Sequence, residues 1–164
     1  MKFKPYDPSN AEGVLQMLSN HVDYTPETDA KNSEENIDYF NEVYIEERMS
    51  GIDFVLVDDS KSRHLGFLSA EKRRFENGTL CWYITSLFIA KDENADANAI
   101  KMVESFMASI HDAKELCINV HPSCQNISAF WREHGFAPNP ERSVFVNANE
   151  QVLVAYWKAL HASC

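Results

Sequence analysis

The run from Leu80 to Ile89, LCWYITSLFI, is largely apolar on both of its alternating faces. A strand of that kind belongs in the middle of a sheet that is covered on both sides. Asn77-Gly78 stands just ahead of it and is the strongest turn signal in the chain. A tight hairpin turn needs positive φ at both central residues, and this pair tolerates it. The extended segment Leu65 to Phe75 therefore folds back onto Leu80–Ile89. Asp53 to Val57 is a further short apolar run of strand length.

Helical periodicity flanks this meander. Pro8, Ser9 and Asn10 supply helix-start chemistry, and Val14, Leu15 and Leu18 follow at helical spacing. Residues His21 to Lys31 carry Pro26 and several turn formers and read as a loop. Ser33 starts a second helix, with Ile37, Phe40 and Tyr44 on its apolar side and Gly51 at its end. From Asn94 to about Ala113, the stripe Ile100, Val103, Phe106, Met107 and Ile110 predicts a helix that covers the sheet. Leu116 to Val120 is a buried strand, and Asn126 to His134 is a short helix closed by Gly135. Val144–Val146 and Val152–Trp157 pair as a last hairpin across Ala148-Asn149, and Met1–Tyr6 is a short first strand. The element order is β-α-α-β-β-β-α-β-α-β-β. It predicts one α/β (α+β) domain over residues 1–164, with a mixed, mostly antiparallel sheet of about seven strands and about four helices on both faces.

Composition removes several function classes. The five glycines of the 164 residues are scattered, so no glycine-rich dinucleotide or triphosphate loop is present. The net charge of −10 disfavours nucleic acid and anionic membranes and favours cationic ligands. No apolar run approaches the roughly 18 residues that span a bilayer. Four cysteines in or beside apolar segments, with no secretory leader ahead of them, read as reduced thiols of a cytoplasmic protein. Cys117, His121 and Cys124 have a C-x3-H-x2-C spacing but no evident fourth ligand, so no metal is expected. A Cys124–His121 nucleophilic pair lacks an orienting acid.

Two segments carry a family resemblance. In the first, Ser86 to Val103, a central strand runs into a loop and then a helix. Asn94 takes the Arg/Gln place, Ala97 the glycine place and Ala99 the Gly/Ala place of an Arg/Gln-x-x-Gly-x-Gly/Ala loop. Met102 and Val103 stand at its apolar pair. The second, Phe130-Trp131-Arg132-Glu133-His134-Gly135-Phe136, is similar to a Phe-Tyr-x-x-x-Gly-Phe signature, with Trp131 in the tyrosine place and Cys124 in an upstream asparagine place. With the element order, these segments resemble the Gcn5-related N-acetyltransferase (GNAT) superfamily over nearly the whole chain.

The resemblance implies an acetyl-CoA-dependent N-acetyltransferase acting by direct attack of a primary amine. The acceptor would be a small, cationic molecule or a peptide. The alternative is a GNAT-like module that binds a ligand or protein without catalysis. The pyrophosphate would lie against Asn94, Ala95, Asp96, Ala97, Asn98 and Ala99, where a helix start offers N–H groups and a favourable dipole. Asp92, Glu93 and Asp96 oppose it, each by about 1 kcal/mol at ~4 Å in water. Asn94 or Asp96 could equally serve only as a helix cap. The backbone of Leu87 and Ile89 would orient the thioester, and Asn126 and Trp131 would touch the cofactor. Glu71, Tyr83 and His121 are the candidates for catalytic base. An indole N–H cannot act as an acid near neutral pH, so Trp131 cannot do what a tyrosine would. Tyr39, Phe40 and Tyr156, with Glu35, Asp38 and Glu42 nearby, would rim the acceptor pocket. A homodimer that pairs sheet edges or final hairpins is compatible with all of this.

Overall fold

The computed structural model describes residues 1–26, 33–41, 52–74, 78, 80–110, 112–139, 145–146 and 152–160. Among them lie β1 (Lys2–Pro5), α1 (Ala11–Leu18), β2 (His21–Asp23), α2 (Ser33–Phe40), β3 (Ile52–Asp58), β4 (Arg63–Arg74) and β5 (Leu80–Ala90). There follow α3 (Ala95–Ser109), β6 (Glu115–Val120), α4 (Gln125–Glu133), β7 (Ala137–Pro138), β8 (Phe145–Val146) and β9 (Val152–Ala159). The strands form one sheet in the order β1-β3-β4-β5-β6-β9-β7, with β2 attached to β5 and β8 to β9. β5 and β6 are parallel, and the remaining pairs are antiparallel. The predicted α/β class, mixed sheet and four helices are all present.

Strand alternation decides which helix covers which face. Leu68, Ala70, Trp82, Ile84, Leu87, Ile89, Leu116, Ile118 and Tyr156 point toward α3 and α4, where Met102, Phe106, Phe130 and Trp131 meet them. Val55, Val57, Phe67 and Phe88 point the other way, under Val14, Leu18 and Phe40 of α1 and α2. Further along that second face lie Cys81, Tyr83, Cys117 and Trp157. β5 is thus buried on both sides, as its composition requires.

Several boundaries differ from the sequence reading, each for a local reason. The helix-start chemistry of Pro8 to Asn10 is present, with Asp7 added as the cap: its carboxylate accepts the Ser9 N–H at 2.8 Å, and Asn10 Oδ1 accepts the Asp7 N–H at 3.0 Å. The expected loop from His21 contains β2, a three-residue strand whose brief alternation is outweighed by the turn formers that follow it. The third helix ends at Ser109 because Ile110 is already extended, at φ −113° and ψ 139°. β7 was not expected. Its Pro138 is tolerated because the strand lies at the sheet edge. Gly78 has φ +81°, as the predicted turn demands, although Asn77 lies outside the described residues. So do Ala148-Asn149 and Gly51, the expected end of the second helix. β8 and β9 nevertheless pair as foreseen, Phe145 opposite Leu153 and Val146 opposite Val152. Among the described residues no helix is long and apolar enough to cross a membrane.

Candidate functional site

The site is built around a place where two parallel strands part. β5 and β6 pair from Cys81/Glu115 to Ile84/Ile118 and no further. A bulge falls there: Ser69 lies opposite Ser86 and Ala70 opposite Ile84, so Thr85 is the extra residue. The Thr85 hydroxyl donates to the Ser69 carbonyl at 3.1 Å, which fixes the bend. Beyond it β5 continues to Ala90, while β6, paired with β9 on its other edge throughout, runs on to Val120 without a partner in β5. The backbone edge of Leu87, Ile89 and their neighbours would otherwise face an open groove. Both side chains are fully buried toward α3, so only main-chain groups can serve a ligand there.

That edge is already in use. β2 lies along it, with His21 opposite Ala90, Val22 opposite Ile89 and Asp23 opposite Phe88. The Tyr24 N–H donates to the Leu87 carbonyl at 2.9 Å, and the Leu87 N–H donates to Thr25 Oγ1 at 3.3 Å. The same segment then crosses the gap, and the His121 N–H donates to the Pro26 carbonyl at 2.7 Å. Tyr24, Thr25 and Pro26 are all buried.

Trp131, in the expected tyrosine place, is completely buried, and its indole N–H donates to the Tyr24 carbonyl at 2.8 Å. Its ring packs edge-on against Phe130 and Phe136. This corrects the expected cofactor contact: as placed, Trp131 offers no surface to a ligand and instead anchors the residues that fill the groove.

The start of α3 splits by face. Ala95, Asn98 and Ala99 turn inward and are buried, while Asn94, Asp96 and Ala97 are exposed. Asn94 does not cap the helix with its side chain. Asp92 instead accepts the Asn94 N–H at 2.7 Å and meets Arg63 at 3.4 Å. Asp96 accepts the Tyr24 hydroxyl at 2.5 Å. Burial holds the Tyr24 phenol above its ordinary range, and the bond to Asp96 adds to this. The N–H groups of Asp96 and Ala97 belong to the first turn and have no acceptor within the helix. Asn126 is exposed on the first turn of α4.

Two of the three candidate bases, Glu71 and Tyr83, lie on the sheet face that carries Cys81 and Cys117. Glu71 and Tyr83 are direct cross-strand partners, just before the bulge. Arg73 holds Glu71, with Nε and the terminal nitrogen both on Oε1, and its guanidinium lies 4.1 Å from the Tyr83 ring centre. Asn119 Nδ2 donates to the Tyr83 oxygen at 2.7 Å. His121 follows two residues after Asn119, just past the end of β6. Its Nδ1 accepts the Ser123 N–H at 3.2 Å and lies 2.7 Å from Ser123 Oγ, so the proton of the neutral ring is on Nε2. In this arrangement His121 has no free lone pair.

The expected aromatic rim does not assemble. Phe40 is fully buried against Tyr6 and Phe67, with ring centres 6.0 and 5.3 Å away. Tyr156 is buried on the opposite face, under α4. Strand alternation gives the near face to its neighbour Trp157, so Phe40 and Tyr156 cannot line one pocket. The side chains of Tyr39 and Glu35, and the whole of Glu42 and Tyr44, lie outside the described residues. Among the described residues no three His, Cys, Asp or Glu side chains gather as metal ligands.

The bulge and β2 were not read from the sequence, whereas the parting of the central strand at Leu87 and Ile89 was implied by the family resemblance. The alternation of apolar Val22 and Tyr24 with polar His21 and Asp23 was the available signal for β2. The bulge left none.

No protein-family model matches the sequence, and no curated protein matches it significantly. Solved structures do match in fold. The aminoglycoside N(6')acetyltransferase from Legionella pneumophila superposes with a TM-score of 0.68 at 15% identity, over 97% of this chain and 91% of that one. An aminoglycoside 6'-acetyltransferase type Ii gives 0.66 at 14%, over 100% of both chains. The NatB acetyltransferase complex bound to CoA and MES gives 0.63 at 14%, over 98% and 99%. End to end, this chain has the fold of the GNAT acetyltransferases.

Proposed function

We propose that the protein is an N-acetyltransferase that moves an acetyl group from acetyl-CoA to a primary amine of a small cationic molecule or peptide. The observation that carries this reading is the parting of β5 from β6 at the Thr85 bulge, in a chain that matches acetyltransferases over its full length. Acetyl-CoA, when bound, supplies a thioester carbonyl open to attack by an amine.

The phosphate end of the cofactor fits what is present. The first-turn N–H groups of the exposed residues Asp96 and Ala97, with exposed Asn94 and Asn126, could hold a diphosphate, and alanine has no bulk beyond Cβ to block approach. The pantetheine end does not fit while β2 and residues 24–26 occupy the strand edge. The residue we favour as base is Glu71, whose Oε2 is left by Arg73 for a proton from the amine, directly or through water. Tyr83, steadied by Asn119 and Arg73, floors that position. His121 positions Pro26 through its backbone instead of acting as a base. A net charge of −10 supports a cationic acceptor.

One observation favours a second reading, a non-catalytic binding module: the groove is filled and its tyrosine is replaced by buried Trp131. An acetyl-CoA assay with thiol-release detection over polyamines, aminoglycosides and peptides separates the two. Turnover of any amine supports the transferase. Absence of turnover, with no thermal shift by millimolar acetyl-CoA or CoA, removes it.

A further inference from the structure

The backbone of residues 87–89 has two hydrogen-bonding edges, and both are taken. Gly66 to Leu68 of β4 lie on one side, and His21 to Tyr24 lie on the other. The second edge is the one that the departure of β6 exposes. A pantetheine arm carries two amides in an extended chain, so it would pair with this edge as a strand does. Only one occupant can use the edge at a time.

The present occupant is held at several points. His21 Nδ1 donates to the Leu18 carbonyl at 2.9 Å, and its Nε2 accepts from Asn36 Nδ2 at 2.6 Å. The Thr25 hydroxyl lies between the Leu87 N–H and Asp23 Oδ1. Tyr24 reaches Asp96 with its hydroxyl and Trp131 with its carbonyl, and Pro26 reaches His121 across the gap. Tyr24 therefore ties the strand-edge end of the groove to the helix start that would bind phosphate.

We propose that residues 21–26 are a built-in competitor for the cofactor groove: acetyl-CoA gains the edge of β5 only when this segment leaves it. The inference rests on the transferase reading. It makes cofactor affinity depend on a strand exchange within the chain, with apparent affinity reduced by the fraction of molecules in which the groove is open. The Tyr24–Asp96 bond breaks in the same movement.

The test locks and loosens the segment. The Tyr24 N–H to Leu87 and the Lys91 N–H to Asn20 carbonyl (3.1 Å) mark bonded pairs. His21 and Ala90 therefore form a non-bonded pair between them, with Cα atoms about 4.5 Å apart, within reach of a disulfide. CoA binding is measured by calorimetry on the full chain carrying His21→Cys and Ala90→Cys, oxidised and then reduced. The isosteric Thr25→Val variant removes the Oγ1 acceptor without making a cavity. The expected result is no CoA binding when oxidised, recovery on reduction, and about fivefold tighter binding by Thr25→Val than by the native chain. Hydrogen exchange of the Tyr24 amide should also speed up when CoA is added. Equal binding by the oxidised and reduced forms overturns the competitor while leaving the transferase reading intact. Failure of the native chain, the reduced form and Thr25→Val all to bind millimolar CoA overturns both.

Discussion

Replacing Trp131 by phenylalanine tests the central joint of the molecule. The indole is fully buried, and its N–H donates to the carbonyl of buried Tyr24 at 2.8 Å. A phenyl ring in its place would leave that carbonyl unpaired, which costs about 1–3 kcal/mol. The change would also remove roughly 40 Å³ of side chain, and at ~24 cal/mol per Å³ of residual cavity that adds about 1 kcal/mol. The sum, about 2–4 kcal/mol, is a large fraction of the ~5–15 kcal/mol that holds an ordinary domain together. Urea unfolding followed by circular dichroism reads it directly, as a lower midpoint at unchanged slope. Thermal unfolding should drop by about 2–4 °C per kcal/mol. A loss below about 1 kcal/mol at unchanged slope would refute the reasoning, because the Tyr24 carbonyl would then have another partner or access to water. Trp131→Tyr, which restores the tyrosine of the family signature, is expected to destabilise as well, since its hydroxyl would enter an apolar enclosure of Phe130 and Phe136.

Gly13→Ala reverses the usual helix rule. Alanine gains up to about 1 kcal/mol over glycine inside a helix, but its Cβ would stand 2.1 Å from His64 Nδ1, so a net loss of about 1–3 kcal/mol is expected, and a stabilised variant would contradict the packing of α1 on β4. His64 is held below its ordinary 6.5, first by burial and then by Lys4. Its neutral form is therefore favoured on folding, the unfolded chain binds more protons in the window just under pH 6.5, and stability falls as pH drops through that window. Melting temperatures from pH 7.5 to 5 should show this fall, and a His64→Gln variant should flatten it; an unchanged slope in the variant would assign the effect elsewhere. Glu71→Gln should lower kcat on any accepted amine by about 100-fold or more with little change in melting temperature, and a native kcat would exclude Glu71 as the base.

Much of the frame could be read from one dimension because it depends on local periods. Ten residues apolar on both faces fix a central strand, Asn77-Gly78 predicts the turn before it, and the stripe from Ile100 to Ile110 sets a covering helix. The Phe130 to Phe136 segment pointed to the acetyltransferase fold even with tryptophan in place of tyrosine, since the helix end at Gly135, with φ +89°, keeps its geometry.

The site depended on contacts that local patterns do not carry. Whether Phe40 and Tyr156 could meet was decided by which side of the sheet each strand and helix presents. The role of Trp131 was decided by a carbonyl 107 residues away in sequence. The sequence alone determined that a central strand would be covered on both faces and that a helix without glycines at its start would follow it. Only the tertiary structure decided what lies along that strand where its parallel neighbour departs. A backbone edge must be paired by something, and the nearest available partner is set by how the chain returns in space.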